Sequence, residues 1–71
     1  MEKMDCLYGT VSSSCGKGLF ITLDNGDSVF SYYGWLKKGT RVLCTVQKKA
    51  RESLLARVSV DAVMADHISA A

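Results

Sequence analysis

Residues 19 to 33 constrain this chain more than any other stretch. Leu19-Phe20-Ile21-Thr22-Leu23 alternates two kinds of side chain, with Leu19, Ile21 and Leu23 on one side and Phe20 and Thr22 on the other. That two-residue period belongs to a β-strand and to no helix. Asp24-Asn25-Gly26-Asp27 follows, then Ser28-Val29-Phe30-Ser31-Tyr32-Tyr33, which alternates again. An Asn-Gly pair between two such runs predicts a hairpin. A lone hairpin is barely stable in water, so it needs partners. The chain supplies them at the same period: Leu7 to Ser13 with Leu7, Gly9 and Val11 on one face, Thr40 to Gln47 with Val42, Cys44 and Val46, and Ser53 to Val60 with Ala56, Val58 and Val60.

The links are marked by turn residues. Ser14-Cys15-Gly16-Lys17-Gly18 joins the first strand to the hairpin, and Gly34 to Gly39 leads out of it. Five short strands at this spacing, in a chain with no proline, favour a small barrel or sandwich. Closure into a barrel also removes the exposed sheet edges that invite aggregation. The expected organisation is a short lead over residues 1–6, one all-β domain over 7–60, and a tail over 61–71. In the tail, Asp61 either caps a short helix carrying Val63, Met64 and His67 on one side, or the segment frays.

Alternation fixes which residues share a face, but not which face is buried. If Leu19, Ile21 and Leu23 fill the interior, then Phe20, Phe30 and Tyr32 stand outside together. Three adjacent exposed rings are costly to leave in water without a use. If the faces are reversed, or if the tail covers the rings, the same aromatics are core. Trp35 follows Gly34 outside the strands, and a plug at one end of the barrel is expected there rather than a base contact.

Seventy-one residues make one domain with a thin core, and 48% hydrophobic residues are too many for a disordered tail. No apolar run approaches the roughly 18 residues of a membrane span, and the charged start Met1-Glu2-Lys3-Met4-Asp5 opens no signal region. A cytoplasmic protein with no membrane partner is expected. Cys6, Cys15 and Cys44 are odd in number and lack a close pair of the kind that starts a zinc site. Free thiols acting as small apolar residues are expected, with no metal and no cofactor. His67 is the sole histidine and has no nucleophile or orienting group to work with; no catalytic constellation is present, and an enzyme is not expected.

The charge is unevenly spread. Residues 37 to 57 hold Lys37, Lys38, Arg41, Lys48, Lys49, Arg51 and Arg57 against Glu52 alone, a balance of +6. The remainder holds Lys3 and Lys17 against Glu2, Asp5, Asp24, Asp27, Asp61 and Asp66, a balance of −4. A basic patch on a nearly neutral protein attracts phosphate backbones, although a run of lysines can equally be a solvated face.

Gly9-Thr10-Val11, Lys17-Gly18-Leu19-Phe20-Ile21-Thr22 and Val29-Phe30-Ser31-Tyr32-Tyr33 resemble the cold-shock domain, whose two RNA-binding motifs have that order and spacing. Leu19 to Gly26 with Gly39-Thr40-Arg41-Val42 is similar to bacterial translation initiation factor one. The same residues also resemble the RNA-binding repeat of the largest small-subunit ribosomal protein. All three are OB barrels that bind RNA or single strands, so the resemblance, which covers residues 7 to 60, implies an all-β, small five-stranded OB-type barrel. By position it implies base stacking at Phe20, Phe30 and Tyr32. Arg57, in Arg57-Val58-Ser59-Val60, matches an arginine that the ribosomal repeat uses at its surface. The chain departs from these patterns at Ser12 and Ser13, where the cold-shock pattern has an exposed aromatic, and at Lys17, where the ribosomal repeat has one before its glycine.

The expected function is a non-catalytic module for single-stranded RNA or DNA, RNA ahead of DNA. Bases stack on Phe20, Phe30 and Tyr32, with Tyr33 joining from the strand end, while Lys17, Lys37, Lys38, Arg41 and Arg57 serve the backbone. The alternative is a protein-interaction or homodimerisation module using the same aromatic face.

Overall fold

The fold is described by a computed structural model over residues 4–50 and 55–64. Five strands form a closed barrel: β1 Cys6–Cys15, β2 Gly18–Leu23, β3 Ser28–Ser31, β4 Arg41–Lys48 and β5 Ala56–Val63. Their order around the barrel is β1-β2-β3-β5-β4, with β4 returning to β1. All pairings are antiparallel except β3 with β5. A five-stranded barrel of this order, with no helix among the described residues, is consistent with a small OB-type fold.

The interior takes one face of each strand. Val11, Leu19, Ile21, Leu23, Val29, Val42, Cys44, Val46, Ala56 and Val58 form the core, so the aliphatic side of the hairpin is the buried one. Val60, expected inside, is only partly buried, as are Leu7 and Leu36; β5 is by then past its last pairing with β3, at Arg57, and is held by β4 alone. Gly9 faces inward, and a side chain on it would meet Ile21 Cγ2 at 2.7 Å. Glycine is therefore used at that point for close strand packing.

The hairpin at Asn25-Gly26 forms with a three-residue turn. The Gly26 amide donates to the Leu23 carbonyl (2.9 Å), the Leu23 amide donates to Asp27 (2.8 Å), and Gly26 alone in the turn has positive φ, at 96°. That is a turn closed by a glycine bulge, which preserves the strand twist with only one left-handed residue. Asn25 Oδ1 accepts from the Asp27 amide at 2.9 Å and stiffens it further.

Three elements differ from the sequence-based expectation. β1 runs on to Cys15, so the glycine-rich link shrinks to a two-residue turn at Gly16-Lys17. β3 stops at Ser31 rather than Tyr33, because the Tyr33 amide turns back onto Ser31 Oγ (3.2 Å) instead of joining a ladder. β5 continues to Val63, and Asp61 caps no helix. Its carboxylate accepts from Thr45 Oγ1 and from Ser59 Oγ (3.1 Å) across the β4–β5 surface. Ser53, the expected first residue of the last strand, and His67 lie outside the described residues.

Candidate functional site

The outward side of the hairpin carries the aromatic cluster. Strand register sets Ser13 beside Phe20, Phe20 beside Phe30, Phe30 beside Arg57 and Arg57 beside Lys48, one continuous row across four strand pairings. Phe20 and Phe30 meet edge to face with centroids 5.2 Å apart, and Phe30 meets Tyr32 in the same way at 5.0 Å. Such offset pairs stabilise each other beyond the area they bury. Phe30 is the half-buried middle ring, whereas Tyr32 is 66% exposed. The Arg57 guanidinium lies 5.4 Å from the Tyr32 ring centre, a cation–π contact that holds a positive charge at the rim of the cluster.

Gly18 makes this cluster fit. A Cβ on Gly18 would collide with the Ser31 carbonyl and stand 2.9 Å from Phe30 Cζ. The missing side chain at the start of β2 is thus the space into which the Phe30 ring leans. On β1, a bulge at Ser12 lets its hydroxyl donate to the Phe20 carbonyl at 3.0 Å and leaves both Ser12 and Ser13 exposed next to the rings.

Because β3 ends at Ser31, alternation ends with it, and Tyr32 and Tyr33 are both exposed. They form a ridge between two open depressions. One, of about 500 Å³, is lined by Ser14, Lys17, Tyr32, Tyr33 and Trp35 among others; the second, of about 510 Å³, by Tyr32, Tyr33, Gln47, Arg57 and Ser59 among others. Lys17 and Arg57, expected as backbone contacts, therefore flank the aromatic residues from opposite sides.

Trp35 corrects the expectation made for it. It is not a plug but the most exposed large apolar side chain described, at 73%. Leu36 closes the barrel end instead: its side chain packs on the core, and its carbonyl accepts from Ser14 Oγ at 2.6 Å. Of these two successive bulky residues Leu36 is the one that packs on the core, and the Ser14 bond ties the backbone to β1 at that residue. That was the signal missed in Gly34-Trp35-Leu36.

The remaining basic residues do not all converge. Lys37 and Lys38 are exposed in the loop after Trp35, where Thr40 Oγ1 donates to the Lys37 carbonyl at 2.7 Å, but they line neither depression. Arg41 sits at the far end of β4 from Lys48 and is engaged: its two terminal nitrogens grip Asp24 Oδ1 and Oδ2 at 2.7 and 2.9 Å, and one also donates to Thr10 Oγ1 at 2.9 Å. The hydrogen bonds from Arg41 hold the Asp24 carboxyl below its ordinary pKa, and the same bonds raise Arg41. Arg51 lies outside the described residues. The +6 segment is thus divided among both ends of β4, two loops and β5.

Cys44 is buried in the core, whereas Cys6 and Cys15 are exposed at the two ends of β1. Burial pushes the Cys44 thiol up to about 11, with the Asp61 charge adding to the effect. Among the described residues no group of three or more histidine, cysteine or acidic side chains could hold a metal ion.

Fold and surface together define a small closed β-barrel carrying an exposed aromatic face with a cation on either side. No protein-family model matches the chain, and no curated protein or solved structure matches it.

Proposed function

We propose that this barrel is a non-catalytic binding module for single-stranded nucleic acid. The observation that carries the reading is the outward cluster Phe20–Phe30–Tyr32 with Arg57 held over its last ring. Every base has a π-face, so unpaired bases stack on such rings whatever their sequence, each stack contributing roughly 1–3 kcal/mol. Arg57 and Lys17 flank the rings, where phosphates of a strand crossing the face would run, and Lys37, Lys38 and Lys48 add positive field nearby. Arg41 is left out of the contact set because its charge is already matched by Asp24. RNA is favoured over DNA by the likeness to cold-shock and ribosomal RNA-binding barrels alone.

Fluorescence anisotropy of short labelled RNA and DNA single strands, at low and moderate salt, tests the reading. Wild-type protein should bind, with affinity falling as salt rises, and duplex of the same sequence should compete poorly because its bases are already stacked. Phe30→Ala should weaken binding by roughly 1–3 kcal/mol while the barrel stays folded. No binding of any single strand at low salt and high micromolar protein sinks the proposal. The aromatic face then belongs to a protein partner or a second copy of the chain, and analytical ultracentrifugation distinguishes those two.

A further inference from the structure

We infer that Trp35 is a second stacking wall, and that the depression between it and the Tyr32–Tyr33 ridge takes a base of the same strand that lies on the Phe20–Phe30–Tyr32 face, with Lys17 at its phosphate. The inference rests on the single-strand reading above and extends it from one platform to a track of two subsites.

Three observations carry it. Trp35 leaves 73% of its surface in water although the neighbouring Leu36 is packed on the core, so the chain turns its largest ring outward and seals the barrel with the smaller side chain. Exposing an indole forfeits most of the burial that such a side chain normally gains, a cost that a ligand would relieve. The second observation is continuity. The two depressions, of about 500 and 510 Å³, meet at Tyr32 and Tyr33, and Tyr32 is also the end ring of the Phe20–Phe30–Tyr32 cluster, so the Trp35 depression adjoins that face across a single residue. The third is charge and composition. Lys17 lies in the Trp35 depression and Arg57 over the Tyr32 ring of the aromatic face, which gives each subsite one cation and at least one ring. An alternation of rings and cations along a groove matches the repeat of base and phosphate in a single strand. A flat apolar partner would not need a cation in each subsite.

The track is anchored. Ser14 holds Leu36 by its carbonyl, and the Gly39 amide donates to Val11 (2.8 Å), so the loop bearing Trp35 is tied to β1 at two points on its C-terminal side, the first at the residue next to Trp35. The Trp35 wall is thus set by the barrel and not by the strand it receives.

Trp35 is the chain's single tryptophan, so its emission reports on this subsite alone. Titration of the full chain with unlabelled oligouridylates of two to eight nucleotides should quench Trp35 fluorescence only once the strand is long enough to span both subsites. Affinity should rise with length up to that point, near the lower end of the roughly 4–16 nucleotides that one such barrel covers. Trp35→Ala should reduce affinity for the long strand roughly five- to a hundredfold and leave a dinucleotide unaffected, while Trp35→Phe restores most of the loss. Phe30→Ala should weaken both lengths. If strands bind and respond to Phe30→Ala, but Trp35 emission stays constant and Trp35→Ala binds the long strand like wild type, the second subsite is wrong and the platform stands. If no strand binds the wild type, both readings fall.

Discussion

Gly18 and Phe30 are fitted to one another across the β2–β3 ladder: a single methyl group on Gly18 would stand 2.9 Å from the Phe30 ring and collide with the Ser31 carbonyl behind it. The middle ring of the aromatic face therefore keeps its place because a residue on the neighbouring strand has no side chain. The same contact couples stability to the candidate site, since whatever fills the space must move either the ring or the β3 backbone.

Gly18→Ala should accordingly lower the unfolding free energy by about 3 kcal/mol or more, the upper range for overpacking, because one of the atoms it strikes is backbone and cannot rotate away. Gly16→Ala in the adjacent turn is the control. Nothing lies within 4 Å of its would-be Cβ, and a change within about 0.5 kcal/mol is expected. Urea denaturation of both variants checks the pair; equal stabilities would mean that Gly18 is not closely packed.

Ile21 lies wholly inside the barrel, and its Cγ2 is the atom nearest the space beside Gly9. Ile21→Ala should cost about 2–5 kcal/mol, enough to unfold a large fraction of so small a domain. Thermal melting followed by circular dichroism reads this directly, and an unchanged melting temperature would contradict the inward face assigned to β2.

The three thiols should separate by reactivity. Cys6 and Cys15 are exposed, whereas Cys44 is buried with its pKa pushed up to about 11. At pH 7.5 a disulfide reagent should modify the first two in the native protein and the third only on unfolding, because the thiolate is the reactive form. The same shift sets a limit at high pH. The unfolded chain releases the Cys44 proton near the ordinary thiol value of 9.0 while the folded chain keeps it to about 11, so stability falls as pH rises across that window. Cys44→Ala has no proton to lose, and its stability should decline less steeply there than that of wild type.

Arg41 and Arg57 should differ in salt dependence if the protein binds a single strand. Arg57 stands over an exposed ring, and Arg57→Ala should lower the salt slope by somewhat under one unit. Arg41 is neutralised by Asp24, so Arg41→Ala should leave the slope unchanged. Its effect appears instead on stability. Asp24 has a folded pKa below its unfolded one, so the pair contributes above the unfolded value and fades as pH falls through the folded one. Arg41→Ala should flatten that acid limb. A reduced salt slope for Arg41→Ala would show that the pair opens to meet phosphate.

The two-residue period of Leu19 to Leu23, the Asn25-Gly26 turn and the matching periods in the other strands were sufficient to place five strands and to group Phe20, Phe30 and Tyr32 on one side. Each of these is local: alternation comes from the strand's own geometry, and a turn needs only its four residues. Which side was buried, how far each strand ran and where single residues pointed were decided by contacts between parts distant in sequence. Ser14, twenty-two positions away, holds the Leu36 carbonyl, and Leu36 rather than Trp35 packs on the core. Asp24, seventeen positions away, takes Arg41 out of the basic surface that its place among lysines suggests. Asp61 lies in a strand because β4 pairs with the residues on either side of it and Thr45, sixteen positions away, donates to its carboxylate, although its sequence context offers a helix cap. In each case the local preference is weak, about a kilocalorie or less, and a partner brought near by barrel closure outweighs it.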